Sequence, residues 1–216
     1  MYLNFLKRLL DITISLIAIT FFLPIMIPII LILRITGEGE IFFFQKRIGF
    51  KNKTFKIFKF ATMIKNSPNL GTRSLTLSDD PRVLPFGKFL RKSKLNELPQ
   101  IFNVLNGSMS IVGPRPQMKE DFLVYPENVQ KLIYNSKPGI TGIGSIVFRD
   151  EEKIISNKTN PRKYYKDIIA VKKGNLELWY LDNISLFIDL KLIFVTAWVI
   201  FFPKSKLHEF FFKDLP

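Results

Sequence analysis

Residues 12–33 read ITISLIAITFFLPIMIPIILIL, a run without a single charged side chain. As a straight helix this run would be roughly 33 Å long at about 1.5 Å per residue, which matches the hydrocarbon core of a bilayer. The run is too long for the apolar part of a cleaved signal peptide, and no small-residue cleavage site follows it. The sequence therefore predicts that the N-terminal part of the chain is attached to a membrane.

Two prolines interrupt the middle of this run, Pro24 and Pro28. Each lacks an amide N–H, so the carbonyls of Thr20 and Pro24 lose their helical partners. A kinked helix that spans the membrane is one interpretation, and a helix–break–helix that returns to its own side is the other. Spanning helices usually concentrate basic residues on one side. Here basic residues stand on both sides, which favours a re-entrant segment over residues 1–36 with both ends in the cytoplasm: Lys7, Arg8, Arg34, Lys46 and Arg47.

Composition narrows the chemistry that the remaining residues can perform. The chain has 216 residues, a formal net charge of +14, no cysteine and one histidine, His208. The charge indicates an anionic partner, such as phospholipid, a nucleotide substrate or nucleic acid. Thiolate catalysis, disulfides and multi-histidine metal sites are excluded. Acid–base or metal chemistry must therefore come from aspartate and glutamate.

Residues 41–63, IFFFQKRIGFKNKTFKIFKFATM, are typical of a β-hairpin that turns at residues 49–53. The second half alternates with a period of two, which places Lys59 on the same face as Phe55 and Ile57. A lysine that faces inward is a candidate phosphate ligand. A surface lysine whose stem covers apolar neighbours is the alternative.

A second informative stretch is RKSKLNELPQIFNVLNGSMSIVGPRP, residues 91–116. It predicts a helix from about Glu97 to Asn106 with Asn96 as its N-cap, closed by Gly107. A capped helix alone would explain the Asn-Glu pair. The alternative is a diphosphate site, because a helix N-terminus attracts anions and Arg115 is held between two prolines. In that site Lys59 and Arg91 add positive charge, and Glu97 is the candidate ligand for Mg²⁺.

The rest of the chain predicts a mostly helical domain, residues 37–216, behind the hairpin. Residues 66–82 are turn-rich, residues 137–152 are a glycine-rich turn expected to lead into a strand, and residues 160–182 are expected to be helical. Residues 184–202 are apolar but contain Asp189 and Lys191, which suits a helix packed on the domain or lying in the membrane interface. The predicted fold class is α+β.

The motifs together resemble the bacterial sugar transferases known as monotopic phosphoglycosyl transferases, over nearly the whole chain. The pieces that match are the apolar segment with Pro24, FFQKRIG, FKIFKFATM, DDPRVLPFGKFLRKSKLNELPQIFNVLNGSMSIVGPRP, KPGITGIGSI and NISLFIDLKLIF. The resemblance implies transfer of a sugar phosphate from a nucleoside-diphosphate sugar, usually a uridine one, to polyprenol phosphate. It implies a site at the inner face of the bacterial cytoplasmic membrane and a role in starting surface glycan assembly.

In the family an Asp–Glu dyad carries the reaction: the aspartate attacks the β-phosphate and the glutamate helps to bind Mg²⁺. The dyad falls here on Asn96 and Glu97, so a neutral amide stands in the place of the nucleophile. Ala61 and Ser108 also depart from the common pattern, and Glu177 replaces an aspartate. Other positions agree with the family: Lys59, Arg115, Arg149 and Asp189. The resemblance implies that Arg149, like Lys59, Arg91 and Arg115, binds substrate phosphate, and that Glu177, Asp189 and Pro24 support the site.

Three functions are compared on this basis. The first is an active phosphoglycosyl transferase that uses Glu97 as nucleophile or transfers directly. The second is a catalytically impaired relative that binds nucleotide sugar or lipid carrier as an assembly partner. The third, a membrane-attached nucleic-acid binder, is disfavoured because the family motifs explain the same residues and the charge suits anionic lipid. Self-association stays open.

Overall fold

The computed structural model describes residues 5–36, 38–67, 70 and 80–216, and it confirms a mostly helical α+β chain with one short hairpin. The first residues of the predicted membrane segment and most of the predicted loop at 66–82 lie outside the described residues. The first element is helix α1, Lys7–Ile35.

Helix α1 is one continuous helix that includes both Pro24 and Pro28, so the predicted break between two helices is absent. A proline removes one backbone hydrogen bond and bends a helix, but packing on both sides can hold the helix together. By length and composition α1 is able to cross a membrane, with a mean hydropathy of 2.9 over an 18-residue stretch, although a core helix or a signal sequence can meet the same test.

The N-terminal turns of α1 are anchored to the domain by buried polar contacts. Lys7 forms an ion pair with Asp189, and its amine also donates to the Tyr180 hydroxyl at 3.1 Å. One turn later, the carboxylate of Asp11 accepts from the backbone N–H of Ile111 at 2.8 Å. Because a buried charge is costly without a partner, these contacts fix where the helix begins.

The C-terminal half of α1 packs against the same domain through apolar side chains. Met26, Ile29 and Leu33 are buried in a cluster with Phe60 and Leu90. Elsewhere α1 keeps large apolar side chains exposed, as Phe21 with 70% exposure illustrates. The helix therefore lies along the domain over most of its length and still presents an apolar side outward.

The hairpin agrees with its prediction. Its antiparallel strands pair Lys59 with Phe43, and the Gly49 amide donates to the Lys53 carbonyl at 2.9 Å across the turn. Lys59 faces inward, and its side chain is 15% exposed. The free edge of the second strand is closed by the Asn103 side chain, which bonds backbone groups there. The strands are β1, Phe42–Ile48, and β2, Thr54–Phe60.

The centre of the domain joins short helices to a second, parallel two-stranded sheet. Its elements are α2, Pro85–Lys92; α3, Gln100–Leu105; β3, Ser110–Val112; and β4, Gly139–Thr141. The predicted C-terminal glycine of α3 is confirmed, because Gly107 follows the helix with φ of 81°. The prediction of a strand after the glycine-rich segment is wrong, because β4 lies inside that segment and the chain then forms a helix.

The C-terminal half is helical and completes the core. Leu192 and Val195 are fully buried against Val104 and Met109, whereas Phe187 on the same helix as Leu192 is 66% exposed. The helix predicted over residues 184–202 therefore packs on the domain with one side and is exposed on the other. The helices are α4, Lys119–Phe122; α5, Glu127–Leu132; α6, Ile143–Val147; α7, Glu151–Ser156; α8, Pro161–Tyr164; α9, Ala170–Asp182; α10, Leu186–Phe201; and α11, Leu207–Phe211.

Candidate active site

Asn96 and Glu97 lie in a 3₁₀ turn, Leu95–Glu97, and not at the start of an α-helix. The predicted capping role of Asn96 is therefore wrong. Lys94 enters the turn with a left-handed backbone, φ 61°. Pro99 has no N–H to donate, so the chain continues through i→i+3 bonds and α3 begins only at Gln100.

Glu97 is the centre of an ion-pair cluster. Its Oε1 accepts from Lys59 Nζ at 3.1 Å and from Arg115 Nη2 at 2.8 Å. The two cations come from β2 and from the loop after β3, so the fold joins three segments that are distant in sequence. Burial alone would raise the pKa of the Glu97 carboxyl, but Arg115 and Lys59 outweigh it and hold that pKa well below its usual range. Glu97 is therefore ionised.

The loop that carries Arg115 is held at almost every peptide group. The Tyr134 hydroxyl donates to the Arg115 carbonyl and accepts from the Gln117 amide, both at 2.9 Å. Arg47 Nη1 donates to the Pro116 carbonyl at 3.3 Å. Together with the two flanking prolines, these contacts give the guanidinium the restricted position that the sequence predicted.

The electrostatics of the cluster favour an additional anion. Burial, together with the nearby Arg115 and Arg47, lowers the pKa of the Lys59 amine to about 8, although Glu97 opposes the shift. Burial beside Arg115 likewise lowers the pKa of Arg47 to about 10. Three cations thus converge near one carboxylate, an excess of positive charge that phosphate groups would neutralise.

A polar pocket of about 320 Å³ opens in front of this cluster. Asn96, Glu97, Lys59 and Arg115 all line it, as predicted for one site. Arg91 also lines the pocket, but its guanidinium pairs with a pocket carboxylate, Glu152 Oε1, at 2.7 Å. Four predicted residues are therefore brought together, and the fifth reaches the pocket already paired.

An apolar groove of about 450 Å³ lies beside the polar pocket. Its walls come from α1, through Ile14, Ala18 and Phe22, and from α10, through Val199 and Ile200. The pocket and the groove share a wall of charged side chains: Lys94, Glu97, Arg115, Glu151, Glu152 and Lys173. A polar ligand and an apolar ligand can therefore meet at Glu97.

The residues fit a magnesium ion that takes most of its ligands from phosphate and water. Among the described residues no three His, Cys, Asp or Glu side chains gather as a metal site. Glu97 Oε2, however, has only a 3.4 Å contact from Arg115 Nη1, so it keeps capacity for a ligand bond. The Asn96 Oδ1 next to it is a buried oxygen with no hydrogen-bond partner in the described part of the chain. One carboxylate with an oxygen neighbour is typical of Mg²⁺ held mainly by substrate phosphates.

Arg149 lies apart from the other predicted phosphate ligands. It lines the apolar groove together with Ser145, whereas Arg115 lines both the groove and the polar pocket. No pattern in the sequence separates these two arginines, because their relative position depends on how α6 and the loop after β3 pack.

Glu177 is buried on α9 behind the glycine-rich segment. Burial raises the pKa of its carboxyl to about 7, against the opposing effect of Lys173, so near neutrality it is partly protonated. Neither carboxylate oxygen has a partner in hydrogen-bond geometry within the described ranges, although the backbone of Arg115 faces it. A Cβ at Gly144 would lie 2.4 Å from Oε1, so this approach requires glycine. The side chain supports the wall and does not line the pocket's described surface.

The two other predicted supporting residues lie in α1 and at its anchor. Asp189 joins α10 to α1 through Lys7, and Tyr180 donates to it at 2.7 Å. Pro24 lies within α1. Sequence reasoning missed Tyr134 and Arg47 as residues that hold the Arg115 loop, and only the position of Arg47 in the FFQKRIG motif was a signal.

Comparison with known proteins agrees with this geometry. The family described as bacterial sugar transferase matches residues 2–203. A UDP-glucose:undecaprenyl-phosphate glucose-1-phosphate transferase of Klebsiella pneumoniae is 36% identical over 201 residues, covering 92% of this chain and 41% of that protein. The exopolysaccharide production protein ExoY of Sinorhizobium fredii is 30% identical, with 88% and 83% covered.

A third relative is the UDP-N-acetylgalactosamine-undecaprenyl-phosphate N-acetylgalactosaminephosphotransferase of Aeromonas hydrophila. It is 32% identical over 195 residues, which cover 89% of this chain and 43% of that protein. The chain thus spans about two fifths of the Aeromonas and Klebsiella relatives and most of ExoY.

Proposed function

The chain belongs to the bacterial sugar transferase family, and from that premise we propose that it transfers a sugar phosphate from a nucleoside-diphosphate sugar to polyprenol phosphate. The observation that carries the proposal is the shared wall at Glu97 and Arg115, where a cationic pocket meets an apolar groove. The reaction needs both environments, because its donor is a polar dianion and its acceptor is a phosphate on a long isoprenoid chain. The activities named for the Klebsiella and Aeromonas relatives support UDP-sugars and undecaprenyl phosphate as the substrate classes.

The donor diphosphate binds in the polar pocket, on Lys59 and Arg115. Arg115 suits bidentate contact with phosphate oxygens, and its restrained loop lowers the entropy lost on binding. Lys59 adds a second cation from the hairpin. Mg²⁺ is the proposed cofactor, held by Glu97 and completed by phosphate oxygens and water; when bound, it neutralises charge that develops on the phosphates. Glu97 is ionised for this role.

Direct transfer is the mechanism that the site favours. Glu97 Oε1 is already engaged by two cations, and the amide of Asn96 is a poor nucleophile. An oxygen of the acceptor phosphate attacks the sugar-bearing β-phosphorus, and a new P–O bond forms. The bond between that phosphorus and the bridging oxygen breaks, and the bridging oxygen leaves with the nucleoside monophosphate. Lys59 and Arg115 stabilise the charge on the transferred group.

A non-catalytic relative is the second candidate, and Asn96 is the observation that favours it. A protein that binds donor or lipid carrier without turnover would serve as a partner in glycan assembly. The two candidates differ in one outcome, the formation of polyprenyl-diphosphate-sugar.

The site is proposed to face the cytoplasmic side of the bacterial inner membrane, with α1 as a continuous anchor helix whose two ends both lie on that side. This topology is supported by the contacts of α1 with one domain at both ends, through Lys7 and Asp11 at the start and Ile29 and Leu33 near the finish. A helix that spanned the bilayer could reach a cytoplasmic domain only at one end. Exposed aromatic side chains on α10 and the net charge suit contact with anionic lipid.

The deciding experiment incubates the purified chain with a panel of radiolabelled nucleotide sugars, Mg²⁺ and undecaprenyl phosphate. Labelled lipid with sequential kinetics supports direct transfer. Without acceptor, we expect no covalent sugar phosphate at Asn96, after intact mass has excluded deamidation. A covalent adduct on Glu97 would mean that this carboxylate attacks. Binding without turnover, together with turnover by Asn96→Asp through a covalent intermediate, would establish the non-catalytic candidate instead.

A further inference from the structure

The apolar groove contains two buried polar atoms for which the described part of the chain provides no partner. Both the Ser145 Oγ and the Arg149 Nη1 are buried, and neither makes a hydrogen bond within the described residues. Both residues line the groove between α1 and α10. Burying a hydroxyl and a guanidinium N–H without partners costs free energy, so such a pair in one cavity indicates a ligand that would satisfy them.

The cations around the groove differ in whether a carboxylate already neutralises them. Lys173 pairs with Glu151 at 2.5 Å, and Arg115 pairs with Glu97 at 2.8 Å. Arg149 is in no ion pair of the described chain, although acidic residues line the same groove. Lys94, on the wall shared with the polar pocket, is likewise in no ion pair among the described residues. Arg149 is therefore the groove's one uncompensated guanidinium, and it shares the groove with the Ser145 hydroxyl, which suits a single anionic head group.

The walls determine what must be attached to that head group. The groove has a volume of about 450 Å³, and its apolar walls are formed by Ile14, Ala18 and Phe22 of α1 and by Val199 and Ile200 of α10. Water gains little in such a space, whereas an apolar chain buries its surface there. The complementary ligand is an anion at the end of a branched or linear hydrocarbon.

We propose that Ser145 and Arg149 form a separate binding site for the phosphate of the isoprenoid acceptor, while Lys59 and Arg115 bind the donor diphosphate. The proposal rests on the function proposed above and deepens it. A phosphate monoester has enough oxygens to accept from Arg149 and Ser145 and still present one toward the shared wall at Glu97. Arg115 and Arg149 thus bind different ligands, although the sequence predicted the same phosphate-binding role for both.

The test measures binding of farnesyl phosphate in detergent micelles, with farnesol as a ligand without the head group. Arg149→Met keeps an unbranched side-chain stem and removes the guanidinium with its charge, and we expect it to weaken farnesyl phosphate binding roughly 10- to 100-fold, as expected for a charge-assisted hydrogen bond. Ser145→Ala should weaken it by less than about tenfold. Farnesol binding and UDP-sugar binding should not change in either variant.

Lys191→Met is the matched control, because Lys191 is a cation on α10 that lies over the Phe187 ring outside the groove. It should bind farnesyl phosphate like the wild type. Melting temperatures show whether each variant is folded. If Arg149→Met is unstable, Arg149→Lys replaces it: this variant keeps the charge and should retain part of the farnesyl phosphate affinity. Dioctanoyl phosphatidic acid distinguishes an isoprenoid phosphate from a membrane lipid; equal or tighter binding of phosphatidic acid would overturn the assignment to the acceptor.

The outcomes separate this site from the proposed function. If wild-type protein forms labelled lipid but Arg149→Met keeps normal farnesyl phosphate affinity and loses UDP-sugar affinity, Arg149 belongs to the donor and the inference is wrong. If wild-type protein binds farnesyl phosphate through Arg149 but never transfers sugar phosphate, the site stands and the proposed transfer fails.

Discussion

Replacing Glu97 by glutamine keeps the shape of the side chain and removes the charge on which the cluster depends. In the native protein this carboxylate faces Lys59 at 3.1 Å and Arg115 at 2.8 Å. Breaking a buried ion pair at one partner typically costs about 3–5 kcal/mol. Since the Arg115 side chain keeps 33% exposure, water recovers part of this cost. We expect a loss of about 2 kcal/mol in the free energy of unfolding.

The effect on activity should be larger than a stability loss explains. Glu97→Gln removes the ionised Mg²⁺ ligand, and we expect turnover to fall at least ~100-fold, or about 2.7 kcal/mol at ~1.4 kcal/mol per decade. Chelation should abolish the turnover of the wild type. Glu152→Gln is the matched control, because Glu152 lines the same pocket but pairs with Arg91. Its turnover should stay close to that of the wild type.

The pH dependence of the Glu97→Gln variant separates its loss of donor binding from its loss of turnover. The pKa of Lys59 in the folded protein is about 8, below its ordinary value. The folded state therefore releases this proton first, and between that pKa and the ordinary one stability gains from rising pH. Donor binding needs the charged amine, so it should weaken above pH of about 8. Glu97→Gln removes an attraction that raises the Lys59 pKa, so this weakening should move to lower pH.

The assay combines single-turnover transfer of labelled sugar phosphate with donor titrations between pH 6 and pH 9. Partial recovery of donor binding at pH 6 in Glu97→Gln, without recovery of turnover, would confirm both roles. Near-normal turnover in Glu97→Gln, metal-independent turnover in the wild type, or an equal loss in Glu152→Gln would refute the assignment of Glu97.

Three further predictions concern topology and the loop of Arg115. Single cysteines at Tyr2 and Glu40 should both resist an impermeant thiol reagent applied outside intact cells; labelling of Tyr2 alone would show a spanning helix. Arg115→Lys should weaken donor binding about tenfold with membrane association unchanged, because lysine cannot make a bidentate phosphate contact; wild-type affinity would leave the arginine a purely structural role. Tyr134→Phe removes the hydroxyl that bonds the Arg115 carbonyl and the Gln117 amide, so donor KM should rise several-fold. Tyr125→Phe loses one 3.2 Å contact and should change donor KM little; equal effects of the two variants would exclude a role of Tyr134 in positioning Arg115.

Local patterns predicted the elements whose signal lies within a few residues. The alternation in FKIFKF fixed which face of β2 carries Lys59, and Gly107 marked the end of α3. The helix at 186–201 was predicted from its apolar length and its two charges. In each case the relevant energy, burial of one face or a left-handed turn, depends on neighbours in sequence.

Features that depend on distant partners could not be predicted in this way. Nothing local shows that Glu97 meets Lys59, or that Lys7 pairs with Asp189. The same limit explains the continuous α1: the prolines favour a break, but side chains from β2 and α2 pack against the helix beyond them. It also explains why Arg149 was grouped with Arg115.

At Asn96 the local preference for a helix cap differs from the role that the tertiary structure gives the side chain. The sequence offered a capping role, which an amide performs well, but the turn that holds it begins at Lys94 and leaves the Asn96 side chain uninvolved in capping. Its Oδ1 is instead buried with no hydrogen-bond partner among the described residues, and the following residue along the pocket wall is the ionised Glu97. An aspartate there would add a second negative charge beside Glu97, and burial would raise its pKa unless a cation or phosphate-bound metal compensated it. An amide avoids that repulsion. Asn96 therefore leaves the site with Glu97 as its one carboxylate at this pair of positions, and this arrangement is compatible with the direct transfer proposed above.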